Sequence, residues 1–351
     1  MNLSQKQKEI INTNADKVVV MAAAGSGKTA VLTERVKELL RRGADPSKIV
    51  VITFTNAAAD EMKERIENPK DCFIGTIHSY ANYILSCSGY ETRELLDKEQ
   101  FDELFAKVKE HSDCIREVDY LLLDEAQDST DEQFEFLLDM IQPKSFFIVG
   151  DIRQSIYSFN NANPDYIYDL SRQKDVTYYE LLDNYRNAPQ ILDYAKEFLD
   201  PLGYKYYDDS VAKSKEYGQI YRIPYSPEKI GRFILDSNDN FGDWFVLTRT
   251  NAQLSLIQET LEEMGIPCES FKKAELGYVG LKEKMKNNTV KVLTIHTSKG
   301  LEAKNVIVAG AQYYNGEERR INYVAATRAK KLLVWCTQPQ KKRRPKMVSW
   351  E

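Results

Sequence analysis

One stretch, Met21-Ala-Ala-Ala-Gly-Ser-Gly-Lys-Thr29, limits what this chain can become, because it stands where an apolar run gives way to a helical pattern. Val18, Val19, Val20 and Met21 read as a buried strand, and Leu32, Val36, Leu39 and Leu40 share one helical face. Strand, glycine-rich turn and helix N-terminus in that order make a phosphate cradle. Backbone N–H groups around Gly25, Ser26 and Gly27 converge on a β-phosphate, since glycine permits the dihedrals and the close approach. Lys28 would then reach the β- and γ-phosphates and the Thr29 hydroxyl would hold Mg²⁺; the alternative is a glycine-rich strand-to-helix turn with no ligand. The strict pattern has Gly five residues before Gly27; here it is Ala22.

At 351 residues the chain exceeds what one hydrophobic core usually serves, so two domains are expected. A net charge of −5 offers no global basic field, and any polyanion site must be a local groove. Cys72, Cys87, Cys114, Cys268 and Cys336 are odd in number and form no CxxC pair, which points to reduced thiols in a cytosol. His78, His111 and His296 are too dispersed for a metal cluster. No apolar run approaches membrane-spanning length and the N-terminus lacks a signal-like apolar core, so a soluble, cytoplasmic protein is expected.

Ser4 is placed to cap a short helix carrying Ile10 and Ile11. Gln7 on that helix has an amide suited to an adenine edge; taken alone it is a surface glutamine. Gly43 stops the helix after the loop, Ile49–Ile52 reads as a second strand, and Ala57–Ile66 as a helix. Residues 81–116 are helical and charged, with Phe101, Leu104, Phe105 and Val108 on one face. The run Tyr120–Leu123 delivers Asp124 and Glu125 to a strand end, where open α/β sheets place ligands. Another strand, Phe146–Val149, ends at Gly150-Asp151, and Ala188-Pro189 marks a boundary. Strands at Trp244–Leu247, Val290–Ile295, Val306–Ala309 and Leu332–Trp335 follow, while Tyr204–Asp243 is placed only loosely. The tail from Lys341 to Lys346 reads as a solvated charge run. The alternation predicts an α/β fold of mostly parallel sheets flanked by helices: residues 1–187, with a small helical insertion at about 81–116, and residues 188–351.

Asp124 and Glu125 complement the phosphate loop, one carboxylate for Mg²⁺ and the next for an attacking water. Arg186 and Arg328 are candidate arginine fingers, a salt bridge being the commoner fate of an arginine. Ten segments then run in one order: LSQKQ (3–7), AAAGSGKT (22–29), TFTNAAADEMKERI (53–66), GTIHSY (75–80), LLLDEAQD (121–128), VGDIRQSIYSF (149–159), NYR (184–186), LTRTNAQ (247–253), VLTIHTSKGLE (292–302) and EERRINYVAATRA (317–329). Together they resemble the superfamily 1 DNA helicases of the UvrD/Rep/PcrA group, with some wording similar to the helicase part of AddA.

The resemblance implies two tandem RecA-like P-loop domains with ATP and Mg²⁺ in the cleft between them. It makes Gln7 the adenine reader and Tyr185 the ring stacked on adenine. The loop Ala24, Gly25, Ser26, Gly27, Lys28 and Thr29 becomes the phosphate site, with Thr29 and Asp124 on the metal. Gln154 becomes the γ-phosphate sensor, Glu302 the ribose ligand, and Arg186 and Arg328 the fingers. Phe54, Tyr157 and Phe159 follow strand ends, where aromatic rings stack on single-stranded bases; the alternative for each is core packing. Thr55, Asn56, His78 and His296 would add contacts along the same track. The expected activity is monomeric 3′–5′ translocation on single-stranded DNA, extending to tailed duplexes. The rival reading is a nucleotide-dependent clamp that does not move, or an ATPase dependent on a partner. The chain departs from the group at Ala23, where Gly is frequent, and at Ala30 and Asn160, where Arg is. It also leaves room for only a stub of the first accessory subdomain, in 81–119, and none of the second, in 254–291.

Overall fold

The computed structural model describes residues 3–66, 71–92, 94–95, 98, 100–271, 283–311 and 315–337. Strands β1 (Lys17–Ala22), β2 (Ile49–Ile52), β3 (Phe73–Gly75), β4 (Tyr120–Leu123), β5 (Ser145–Gly150) and β6 (Thr177–Leu181) form a sheet in the order β3-β2-β4-β5-β1-β6. Every pairing in it is parallel. Two short strands, β7 (Asp183–Asn184) and β8 (Val211–Ala212), pair with each other in the connecting region. The second sheet contains β9 (Gln219–Pro224), β10 (Trp244–Thr248), β11 (Cys268–Ser270), β12 (Val290–Thr294), β13 (Ala303–Val308) and β14 (Ala329–Thr337). It is also wholly parallel, in the order β11-β12-β10-β13-β14-β9.

Parallel strands need crossovers, and crossover helices cover both faces, so central strands are apolar on both sides. All four residues of β2 and all five of β10 are accordingly buried. The chain is thus α/β and its two sheets are RecA-like, as expected. The loosely placed stretch contains β9 and a helix, Pro227–Asp236, opened by the Ser226 side chain accepting from Lys229 N–H. The basic tail lies outside the described residues.

The two sheets share a core. Ala24, Ile156 and Tyr157, from loops of the first, pack with Ile295, Ala303, Val324 and Ala326 of the second. Segment 184–188 threads the same boundary: Asn184 Nδ2 donates to Ala24 O at 2.8 Å, and Asn187 Nδ2 donates to Thr327 O at 3.1 Å. Within 81–119 lie the end of helix Ile77–Cys87, the helix Phe101–Glu110 and one turn at Ser112–Cys114. Among the described residues, no helix is long and apolar enough to cross a membrane.

Candidate active site

The loop after β1 is held open by two glycines with positive φ, Gly25 at +66° and Gly27 at +84°. Each also sits where a side chain would collide. A Cβ on Gly25 would lie 2.7 Å from Arg186 Cβ, and one on Gly27 would lie 2.9 Å from Gln7 Nε2. Gly27 precedes the helix Lys28–Arg41, whose first N–H groups have no capping side chain and so remain open to an anion. Lys28 is buried and its Nζ donates to Ala22 O at 3.2 Å; burial lowers its pKa, against the pull of Glu125, Asp151 and Asp124.

Asp124 and Glu125 follow β4, facing the loop. Thr29 Oγ1 donates to Asp124 Oδ2 at 3.1 Å, which brings the two predicted metal ligands together. Burial, then the neighbouring Glu125, pushes Asp124 up to about 7. A carboxylate so poorly compensated fits a divalent cation, which would restore its charge balance. Among the described residues no group of three or more His, Cys, Asp or Glu side chains could hold a metal. That donor set suits an ion completed by phosphate and water. Burial also raises Glu125, but Lys28 and Lys299 override it and hold the carboxyl at about 2. Glu125 adopts φ +51°, a left-handed conformation costing a non-glycine residue on the order of 1–3 kcal/mol. Its Oε2 accepts from Gln127 Nε2 at 2.5 Å.

The second sheet faces this edge across a cavity of about 780 Å³ lined by Gly25, Lys28, Asp124, Gln154, Arg186 and Arg328, among others. Both predicted fingers therefore border the same space as Lys28. They differ in what holds them. Arg186 Nε donates to Glu302 Oε2 at 2.6 Å, and Lys330 Nζ is 2.7 Å from Glu302 Oε1. Burial raises the Glu302 carboxyl, but Arg186 and Lys330 bring it down to about 2. Arg328 is 1% exposed and, among the described residues, forms no salt bridge, although Glu125 and Glu302 are near enough to favour its charge. It donates to Val324 O, Leu301 O and Gln154 Oε1, the last at 3.3 Å. Burial and then Arg186 push its pKa down to about 9.

Gln7 is less available than its sequence position suggested. Its Oε1 accepts from Ser4 N–H at 2.8 Å in a capping box, and its Nε2 donates to Ser26 O at 2.9 Å. One amide hydrogen and one lone pair remain for a base. Gln7 and the half-exposed Tyr185 border a second cavity, of about 430 Å³, beside Ser26. Lys299, quoted in its motif but given no role, donates to Asp128 and lies 3.7 Å from Glu125. Its adjacency to Gly300 in a turn was the available signal.

Phe54, Tyr157, Phe159 and His296 form one aromatic cluster, with centroids 4.8 Å apart for Phe54 and Tyr157 and 5.6 Å for Phe159 and His296. Phe159 is 67% exposed, whereas Tyr157 is 4% exposed and donates to His296 O at 3.3 Å. The structure does not bring His78 into this cluster. Its ring stacks on Phe101 at 3.8 Å, and burial lowers its pKa to about 4. Thr55 caps the helix Asn56–Arg65 by accepting from Ala58 N–H, leaving Asn56 exposed at the helix start.

Comparison with known proteins fits this geometry. The profile of the UvrD/REP helicase N-terminal domain matches residues 3–112 and 98–175, and that of the UvrD-like helicase C-terminal domain matches residues 269–339. The chain is 26% identical to the ATP-dependent DNA helicase PcrA of Leuconostoc citreum, over 76% of this chain and 49% of that one. A probable DNA helicase of Mycoplasma pneumoniae is 24% identical over 95% of this chain and 82% of its own. A probable DNA helicase II homolog of Mycoplasma capricolum is 24% identical over 73% of this chain and 50% of its own. The chain spans about half the length of the PcrA relatives it matches.

Proposed function

Because this chain belongs to the UvrD/Rep/PcrA group of helicases, we propose that it hydrolyses ATP in the cleft between its two sheets and uses the cycle to move 3′ to 5′ along single-stranded DNA. The observation that carries the reading is Arg328. A buried guanidinium that forms no salt bridge among the described residues, bordering the same cavity as a phosphate loop, is a cation suited to an anionic ligand. Arginines are seldom buried so deeply unless they are paired.

Each group has one task. Loop N–H groups and Lys28 hold the triphosphate, while Thr29 and Asp124 would hold Mg²⁺. The metal, when bound, would supply charge neutralisation on the phosphates. Glu125, kept ionised by Lys28 and Lys299, orients the attacking water. Gln154 and Arg328 meet the γ-phosphate together, and Arg186 joins them once nucleotide draws Glu302 toward the ribose. Tyr185 stacks on the base, with Gln7 reading its edge. Phe159, projecting from the aromatic cluster, offers its face to a nucleic-acid base.

The test is steady-state ATP turnover with and without a single-stranded oligonucleotide, at stated salt because phosphate contacts weaken with ionic strength. Turnover should rise with the oligonucleotide and vanish in Lys28→Ala and Glu125→Gln while both variants keep the native melting transition. Turnover unimpaired in either variant removes this chemistry. Turnover without movement on a tailed duplex or a translocation track favours the static clamp.

A further inference from the structure

Beside the cavity runs a set of buried polar side chains that the mechanism above leaves unused. Arg153, next to Gln154, donates from Nε to Asp151 Oδ1 at 2.6 Å and from Nη1 to Asp208 Oδ1 at 2.9 Å. Asp208 lies in the segment joining the two sheets, just ahead of β8, and its other oxygen accepts from the Tyr323 hydroxyl at 2.8 Å. Tyr323 is on the helix Gly316–Ala326, whose end leads directly into Arg328. The circuit closes on the other side, because Asp151 Oδ2 accepts from Gln154 Nε2 at 2.7 Å and Gln154 accepts from Arg328. None of these six side chains is more than 4% exposed.

Packing alone does not call for such a ring. Burying two carboxylates and a guanidinium carries a desolvation cost that an apolar cluster of the same volume avoids. Nor is the bonding maximal, since Arg153 Nη2 and Ser210 Oγ are buried with no hydrogen-bond partner among the described residues. What the ring supplies is direction. The phenol of Tyr323, aimed at a carboxylate that also takes Ser210 N–H at 3.0 Å, fixes the rotation of the helix that carries Arg328. Arg153 ties the same carboxylate to the loop that carries Gln154.

We propose that Arg153, Asp208 and Tyr323 are positioning residues that hold the Arg328 guanidinium in register with Gln154, making the connecting segment part of the hydrolytic machinery. The inference rests on the reading of Arg328 as a finger. In the full chain with saturating oligonucleotide, Tyr323→Phe should lower kcat about tenfold and leave KM for ATP within about twofold, well inside the roughly 10²-fold that a 1 Å misplacement costs. Asp208→Asn should do the same. In an Arg328→Ala background, followed by single turnover at high enzyme concentration, Tyr323→Phe should cost nothing further, because the group it positions is gone. A tyrosine serving the fold alone would lower the melting temperature and act equally in both backgrounds. Wild-type kcat in Tyr323→Phe, or an equal further loss beside Arg328→Ala, overturns the proposal. A wild-type chain without ATP turnover overturns the finger reading and this one with it, and is recognised by that. Should Asp208→Asn fail to fold, Tyr323→Phe, which removes one oxygen atom, carries the test.

Discussion

The two sheets are built alike but carry their candidate site residues at opposite edges. In the first, functional groups follow the strands: the phosphate loop after β1, Asp124 and Glu125 after β4, Gln154 after β5. In the second they precede them, with Glu302 immediately before β13 and Arg328 immediately before β14. The carboxyl edge of one sheet therefore meets the amino edge of the other. A connection without helix makes this possible, since residues 295–302 pass from the end of β12 to the start of β13 as turns that place His296 and Lys299 against the first sheet. The first edge uses backbone N–H groups and carboxylates, the equipment for holding a phosphate and its metal. The second brings cations: Arg328 held largely by carbonyls, and Arg186 and Lys330 by Glu302. On the proposed function, gripping the nucleotide and turning it over would be divided between edges.

Breaking the division at its strongest point gives the largest expected effect. Arg328→Ala should lower kcat by about 10³ to 10⁵, the range over which arginine fingers act, while nucleotide affinity changes little. Lys28→Ala should lose affinity as well. Equilibrium binding of a fluorescent ATP analogue beside kcat separates the two, and a large loss of affinity in Arg328→Ala would mean that both edges grip.

The edges also differed in how readable they were. The first was legible because its chemistry is contiguous: Gly25 to Thr29 and Asp124 to Asp128 each lie within a few residues of a strong apolar strand. In the second half Arg328 was legible only as a candidate finger with a salt bridge as its rival, and Glu302 was reached only through the ordered motifs, since neither stands in a local pattern that names its partners. Strands β3, β6 and β9 escaped for a physical reason. The first has three residues, and the other two are edge strands carrying Tyr, Glu, Arg and Gln on half-exposed faces, so no continuous apolar run marks them. The ring of Asp151, Arg153, Asp208 and Tyr323 was out of reach entirely, because its members are brought together only when both sheets dock.

A smaller effect separates the aromatic residues that straddle the boundary. Phe159 is exposed and Tyr157 is buried against both sheets, so the first should act on nucleic acid and the second on the fold. Phe159→Ala should weaken single-stranded DNA binding by about 1–3 kcal/mol with an unchanged melting temperature. Tyr157→Ala should lower the melting temperature by removing an aromatic core residue. Fluorescence anisotropy with a short oligonucleotide, run alongside thermal melts, checks both; equal DNA affinity in wild type and Phe159→Ala would return Phe159 to ordinary surface.

The smallest effect concerns protons on the first edge. Asp124 is pushed from 3.8 in an ordinary carboxyl to about 7 by burial and Glu125, so the folded chain binds a proton there that the unfolded chain has released. Between roughly pH 4 and 7 that contribution makes the nucleotide-free fold less stable as pH rises, because the folded state must give up a proton it favours. Metal binding needs the ionised carboxylate, so the stabilisation that Mg²⁺ adds to the ADP complex should grow across the same window and level off above about 7. Glu125, held at about 2, titrates below this range and leaves the trend to Asp124. Melting temperatures of the ADP complex with Mg²⁺ and with chelator, compared at roughly pH 5.5 and 8, read the difference directly. Asp124→Asn should flatten it. A magnesium shift of equal size at both pH values in the wild-type chain would place the metal away from Asp124, and the first edge would then hold phosphate without holding its cation.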